Sequence, residues 1–333
     1  MNPVAEPTAG RDALKARIAG LVGDDLMAVE RVFATELASD DQAVSDVVDY
    51  VAHFRGKRLR PTLTLLAGHA TGGITRDHHV IAAVVEMIHV ATLVHDDVLD
   101  GATVRRHAET VHTRWDVPTS VLLGDHLFTH AFHLASSLGR ADVCRQIGRA
   151  TNRVCEGELI QHAEQGRIGL VEERYLQIIG RKTAELIAIS CSLGATRNGD
   201  DTHAAAFAEY GRSLGIAFQI ADDLLDFAGS EDEVGKTLGS DLGQAKLTLP
   251  VILALAEAGP QHRDRLVQGL RSGDRDERAT VVAILEELGA IDATRARASS
   301  YAAQARAALG PIPPGPARDV LEAMTRFAVE RSH

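Results

Sequence analysis

The sequence predicts an all-α protein, and three observations carry that reading. Apolar residues recur at helical spacing along most of the 333 residues, whereas alternating strand patterns of any length are missing. No Asn-Gly or Asp-Gly pair joins two β-branched runs, so hairpin signals are missing too. Aromatic residues make up 4% of the chain, poor material for a strand-rich core, while Ala and Leu dominate. With 45% hydrophobic residues the chain can bury a sizeable core. No composition shift marks a boundary, so one helical domain over 1–333 is expected, with 1–10 flexible.

The elements follow in order. Asp24 and Asp25 are the expected cap of a helix carrying Leu26, Val29, Phe33 and Leu37, and Val44, Val47, Val48, Val51 and Phe54 make a second. Arg55-Gly56 breaks that pattern, and Lys57-Arg58-Leu59-Arg60 leads into Pro61, a residue suited to the first helical position. A helix start behind a basic loop attracts anions such as a diphosphate, although a solvated basic turn explains the segment equally well. A long helix is expected from His79 to Asp100, apolar on most sides and ended by Gly101. Further helices are expected at Ser120–Leu138, Val143–Glu164, Glu172–Leu193 and Asp201–Phe227, then at Leu247–Ala256 and, after the GPIPPGP break, at Ala317–Arg331. Between them 228–246 reads as a long polar, glycine-rich loop whose Lys236 and Lys246 are candidates to close over phosphate.

Composition excludes several classes. A formal net charge of -11 argues against a nucleic-acid partner, which needs a basic field over a whole face. Cys144, Cys155 and Cys191 are widely spaced and form neither a disulfide framework nor a zinc pattern, which suits a reduced, cytoplasmic setting. The first residues lack a basic start followed by an apolar run, so no signal peptide is expected. No transmembrane segment is expected either, because the best candidate, Val80 to Val94, is interrupted by Glu86 and His89.

The chemistry is carried by LVHDDVLDGATVRR, Leu93 to Arg106. At about 100° per residue, Asp96 and Asp100 stand about 40° apart on one helical face, with Asp97 beside them. Two carboxylates about 4 Å apart repel by roughly 4 kcal/mol at an effective dielectric near 20, so the cluster calls for cations. Asp222, Asp223 and Asp226 in FQIADDLLDF repeat the spacing at the end of another apolar run. Two such clusters suggest two walls of one metal-filled site. His89 lies two turns before Asp96 on nearly the same face, within reach of a ligand above it, although a lone helical His is usually a satisfied core residue.

With these residues laid out, the chain resembles the trans-isoprenyl (polyprenyl) diphosphate synthase family over nearly its whole length. GKRLRP (Gly56–Pro61), EMIHVATLVHDDVLD (Glu86–Asp100), Arg105-Arg106, GRKTAELI (Gly180–Ile187), FQIADDLLDF, and GKTLGSD followed by KLTLP occur in the family's order. The resemblance implies an isoprenoid-synthase-type helical bundle around a central apolar cleft. It also implies a reaction: an allylic diphosphate ionises and isopentenyl diphosphate attacks the carbocation head to tail. Departing diphosphate concentrates negative charge, which Mg²⁺ with its hard oxygen ligands stabilises.

By this resemblance Asp96, Asp100, Asp222 and Asp226 are the metal ligands, and Asp97 and Asp223 support the reaction beside them. Isopentenyl diphosphate falls to Lys57, Arg60, His89 and Arg106. The allylic diphosphate falls to Arg105, Lys182, Thr183, Gln219 and Lys236, with Lys246 nearby. Lysine supplies a compact charge and arginine a planar fork, while Thr183 and Gln219 present neutral dipoles to the developing cation. Two positions depart from the family pattern: Arg55 precedes Gly56 where a second glycine is usual, and His107 follows the arginine pair where glycine is common.

Product length in the family is set by the apolar tunnel beneath the first acidic motif. Ala91 lies about 7.5 Å and Ile88 about 12 Å below Asp96. The small pair Ala91-Thr92 leaves the floor open and points to about six to ten isoprene units in an apolar cleft, although a small residue there also simply permits close helix packing. A homodimer is implied as well. A terpene cyclase would need no second diphosphate site, and a noncatalytic subunit of a heteromeric synthase would tolerate loss of the acidic motifs, so both rank below the synthase.

Overall fold

The structure, a computed structural model, describes residues 7–51, 56, 58–196, 201–228, 246–272 and 277–330. Among these it is helical apart from one small hairpin, as expected. The chain divides into two compact units, the first formed by Met1–Thr151, Leu186–Gly211 and Ala308–Met324, the second by Asn152–Glu185, Arg212–Ala307 and Thr325–His333.

The first unit opens with α1 (Pro7–Glu36), α2 (Gln42–Val51), α3 (Leu59–Ala70) and α4 (Arg76–Leu99). Asp24 and Asp25 do not cap a helix. They lie inside α1, which runs unbroken for 30 residues because no Pro or β-branched cluster interrupts it. Pro61 is the third residue of α3, behind Arg58 at a left-handed φ of 49°, where its missing N–H is one of the first-turn donors with no helical partner.

α4 is the spine of this unit. Val80 to Ile88 is buried without a break, and α1, α3 and α6 (Val117–Ser136) pack around it. Its 24 residues are long and apolar enough to cross a membrane, contrary to the expectation from Val80–Val94, but 72% of that apolar window is buried inside the protein. The His78 side chain ties its start: Nδ1 accepts from the Thr75 N–H at 3.0 Å, and Nε2 meets Gly194 O at 3.1 Å. Its end is set by Asp100 and then Gly101 at φ 62°, a conformation glycine adopts without a Cβ clash.

After α4 come β1 (Val104–Arg105) and β2 (Ala108–Glu109), paired antiparallel with Arg105 opposite Ala108. This hairpin was not expected, because its two-residue turn is Arg106-His107, with φ of 51° and 64°, rather than a glycine pair. α5 (Val111–Arg114) follows it.

α7 (Ala141–Glu164) contributes to both units in sequence, as do α10 (Ala204–Ala228), α14 (Ala290–Ala308) and α15 (Pro316–Glu330). The helix expected over Glu172–Leu193 is three pieces: α8 (Glu172–Ile179), a π turn at Gly180–Ala184, and α9 (Glu185–Gly194). In the second unit α8 and the Arg212–Ala228 portion of α10 share a core with α11 (Leu249–Glu257), α12 (Pro260–Ser272), α13 (Arg278–Glu287) and α14. Tyr175, Ile179 and Ala184 all enter that core. The step from 175 to 179 is an α-helical four, whereas the step from 179 to 184 is a five, as a π turn provides.

Candidate active site

In the first unit the GKRLRP stretch and the arginine pair meet. Gly56 faces the guanidinium of Arg106 so closely that a Cβ there would lie 2.2 Å from one of its nitrogens, so any larger residue would displace the end of the Arg106 side chain from this place. Arg60 is close enough to feel both Arg106 and the buried Glu86, and burial lowers its pKa to about 10, with Glu86 opposing and Arg106 adding to the shift. His89 is held well below the usual imidazole range by burial, then by Arg60, Arg106 and Arg105, so it is neutral near pH 7. It therefore offers a neutral hydrogen-bonding ring within a cationic pocket. The buried Arg60 Nε has no hydrogen-bond partner among the described residues and is a donor left for an incoming polyanion, whereas Glu86 Oε2, also without one, is an acceptor that water can satisfy. Arg58 continues the cationic group and pairs with Glu30 at 2.7 Å.

The first acidic motif closes α4. Asp96 is half-buried and Asp100 exposed, one turn apart, at the helix end where the macrodipole is negative and a carboxylate most needs a cation. Asp97 turns inward: it is 2% exposed and accepts from Arg105 Nε at 2.7 Å. Burial raises its pKa and Arg105 opposes that rise. Below the motif, Ile88 and Ala91 are fully buried, and the half-buried Thr92 donates its hydroxyl to His89 O at 2.7 Å.

The second acidic motif closes α10 in the second unit. Asp222 is half-buried, while Asp223 and Asp226 are buried. Asp223 ends a polar chain: Thr183 Oγ1 donates to Gln219 Oε1 at 2.9 Å, and Gln219 Nε2 donates to Asp223 Oδ1 at 2.8 Å. Its other oxygen accepts from Tyr175 at 2.6 Å, and Lys246 Nζ stands 3.9 Å away. Burial raises the Asp223 pKa, and Lys246, Tyr175 and Gln219 oppose it. Lys182 pairs with Glu158. The backbone of α7 reaches the π turn at Gly157, where a Cβ would lie 2.5 Å from Lys182 N.

Of the residues expected from sequence, Arg60, His89 and Arg106 come together in one unit, and Thr183, Gln219, Asp223 and Lys246 in the other. Arg105 holds Asp97 in this structure. Lys57, Lys236 and residues 229–245 of the expected loop lie outside the described residues. Three participants went unforeseen. Glu86 was legible as a lone acid within an apolar helical run. Tyr175 and Glu158 carried no comparable signal, because their partners lie 48 and 24 residues away in sequence.

Among the described residues no group of three His, Cys, Asp or Glu side chains is assembled to hold a metal ion. Paired aspartates nevertheless fit Mg²⁺, which is held by one or two carboxylates and completes its octahedron with substrate phosphate oxygens and water.

Residues 41–288 match the model of the polyprenyl synthetase family. The chain is 36% identical over 283 residues to the short chain isoprenyl diphosphate synthase of Methanothermobacter thermautotrophicus, covering 84% of this chain and 87% of that protein. It is 35% identical over 318 residues to the octaprenyl diphosphate synthase of Escherichia coli, covering 95% and 98%. The crystal structure of a polyprenyl synthase from Caulobacter crescentus, complexed with calcium and isoprenyl diphosphate, superposes with a TM-score of 0.89 at 35% identity, over 96% of this chain and 97% of that one. With both acidic motifs and the cationic pocket in place, the chain belongs to the polyprenyl synthetase family of trans-isoprenyl diphosphate synthases and is a prenyltransferase.

Proposed function

We propose that this protein condenses isopentenyl diphosphate head to tail with an allylic diphosphate, in the presence of Mg²⁺, to make an all-trans polyprenyl diphosphate of about six to ten isoprene units. The observation that carries the reading is the pocket of Arg60, His89 and Arg106 beside Gly56, a second diphosphate site that ionisation alone does not need. Arg60 and Arg106 bind isopentenyl diphosphate, with Lys57, and neutral His89 adds a hydrogen bond. Asp96 with Asp100, and Asp222 with Asp226, would hold Mg²⁺, which would supply positive charge to the departing diphosphate. Lys182, Lys236 and Lys246, with Arg105, bind the allylic diphosphate. Thr183 and Gln219 are uncharged, so they line the carbocation without opposing its formation. The proton lost after condensation passes to the released diphosphate, and no side chain is assigned as base.

The small side chain of Ala91, buried below the first acidic motif beside Ile88 and Thr92, supports the longer product. Ala91→Phe is expected to shorten the product by several isoprene units, and an unchanged ladder in mass analysis would remove the floor from the argument. The decisive test incubates the purified chain with Mg²⁺, isopentenyl diphosphate and allylic primers of different length. Diphosphate release with chain elongation supports the reading, and release without elongation would point to a cyclase.

The proposed assembly is a cytoplasmic homodimer. Val117, Val121, Leu122 and Phe132 on α6 are exposed, an apolar display suited to association. Light scattering of the active enzyme at a monomer's mass would exclude it.

A further inference from the structure

Tyr175 on α8 and Thr183 in the π turn that follows it both reach across to α10, and one chain of hydrogen bonds joins them. Tyr175 is 3% exposed, its ring set in the core of the second unit, and its hydroxyl donates to Asp223 Oδ2 at 2.6 Å. Asp223 Oδ1 accepts from Gln219 Nε2 at 2.8 Å, and Gln219 Oε1 accepts from Thr183 Oγ1 at 2.9 Å. The acidic end fixes the order of donors. With both of its oxygens accepting, Asp223 serves as a carboxylate, so the Gln219 amide turns its NH₂ to Asp223 and its carbonyl to Thr183. Thr183 commits its one hydroxyl hydrogen to that carbonyl, and what its oxygen retains is lone-pair capacity. An oxygen lone pair favours a developing cation, whereas an O–H hydrogen aimed at one opposes it.

We propose that Tyr175 is a positioning residue for ionisation of the allylic diphosphate: by holding Asp223 Oδ2 it keeps Oδ1 on Gln219, and through Gln219 it keeps the lone pairs of Thr183 available to the carbocation. This rests on the reading that Thr183 and Gln219 line that cation. Tyr175 acts through Asp223 and is assigned no contact with substrate. Without its hydroxyl the carboxylate loses one of two directional anchors and can rotate about its Cβ–Cγ bond, which releases the Gln219 amide. The dipoles then reorient as charge develops, a cost that a chain assembled beforehand avoids. Lys246 Nζ, 3.9 Å from Oδ1, is beyond hydrogen-bond distance and supplies charge without a direction.

The test is a double-mutant cycle on the full chain, with condensation assayed at saturating substrates and circular dichroism and Tm measured for every variant. Tyr175→Phe removes the hydroxyl and keeps the ring in the core. It is expected to lower kcat at least about tenfold, the kinetic equivalent of one hydrogen bond to a charged group. Calorimetric binding of an allylic thiolodiphosphate, which resists ionisation, is expected to stay within about twofold, because the carbocation wall acts only as charge develops. In the Gln219→Leu background, where the chain is already cut, Tyr175→Phe is expected to change kcat less than about twofold, and Thr183→Val provides a second such background. Equal fold losses of kcat with and without Gln219 overturn the proposal, since a tyrosine that only supports the core acts independently of the chain. So does a loss of analogue binding as large as the loss of kcat. If Gln219→Leu and Thr183→Val leave kcat unchanged, the reading of the carbocation wall fails and the proposal with it. If they lower kcat and folded Tyr175→Phe does not, the proposal alone fails.

Discussion

The two acidic motifs share a spacing and a position at the end of an apolar helix, yet their middle aspartates are held differently. Asp97 is gripped by a full charge, Arg105 Nε at 2.7 Å, eight residues downstream in the same connection. Asp223 is held by neutral donors, Tyr175 at 2.6 Å and Gln219 at 2.8 Å, with Lys246 at the longer distance of 3.9 Å. The outer aspartates differ as well: Asp100 is exposed, whereas Asp226 is buried. Identical spacing therefore hides two designs. The first motif depends on a local ion pair that fixes the hairpin behind it, and the second on a chain of dipoles drawn from α8, the π turn and α10.

The largest expected effect is on turnover. Asp96→Ala with Asp100→Ala should lower kcat by at least about 10³-fold, since metal stabilisation of leaving-group charge is worth several kcal/mol. Asp222→Ala with Asp226→Ala should lose as much, and here the Tm should shift too, because Asp226 is buried. Equal thermal stability in the two double variants would break the contrast.

A smaller effect separates the middle positions. Asp97→Asn strands a partly buried guanidinium and should cost about 1–2 kcal/mol, a figure reduced for the solvent access of Arg105. Asp223→Asn keeps its carbonyl for Gln219 Nε2 and turns an amide N–H to the Tyr175 hydroxyl, which can accept, and should cost about 1 kcal/mol or less. Urea melts of both variants decide the point, and a greater loss at Asp223 would reverse the assignment.

The smallest expected effect concerns the hairpin that Arg105 and Asp97 anchor. His107→Gly relieves a left-handed φ of 64° and should stabilise the chain by about 1 kcal/mol. A drop in Tm would show that the imidazole makes a compensating contact.

Helix existence was legible because apolar periodicity survives in a single sequence, and α4, α6, α7 and α10 lie within a few residues of expectation. Helix ends and interruptions were less so. Asp24-Asp25 has the composition of a cap, but propensity on both sides lets α1 run through it. The hairpin carries no turn signature, since Arg106 and His107 are held at positive φ by the strand pairing and not by their own preference. Site residue types were legible through ordered motifs. Their partners were not: the Asp97–Arg105 bond, the neutral state of His89 and the link from Tyr175 to Asp223 arise from tertiary packing.

The π turn at Gly180–Ala184 acts as a one-residue phase shifter. In an uninterrupted α-helix, Lys182 and Thr183 would follow Ile178 and Ile179 onto the apolar stripe. The added residue hands that place to Ala184 and leaves Thr183 for Gln219 and Lys182 for Glu158. Polarity is thus placed by counting: with the same sequence wound as a regular α-helix, Thr183 would take the core place that Ala184 holds, and the chain that ends on Asp223 would lose its first donor.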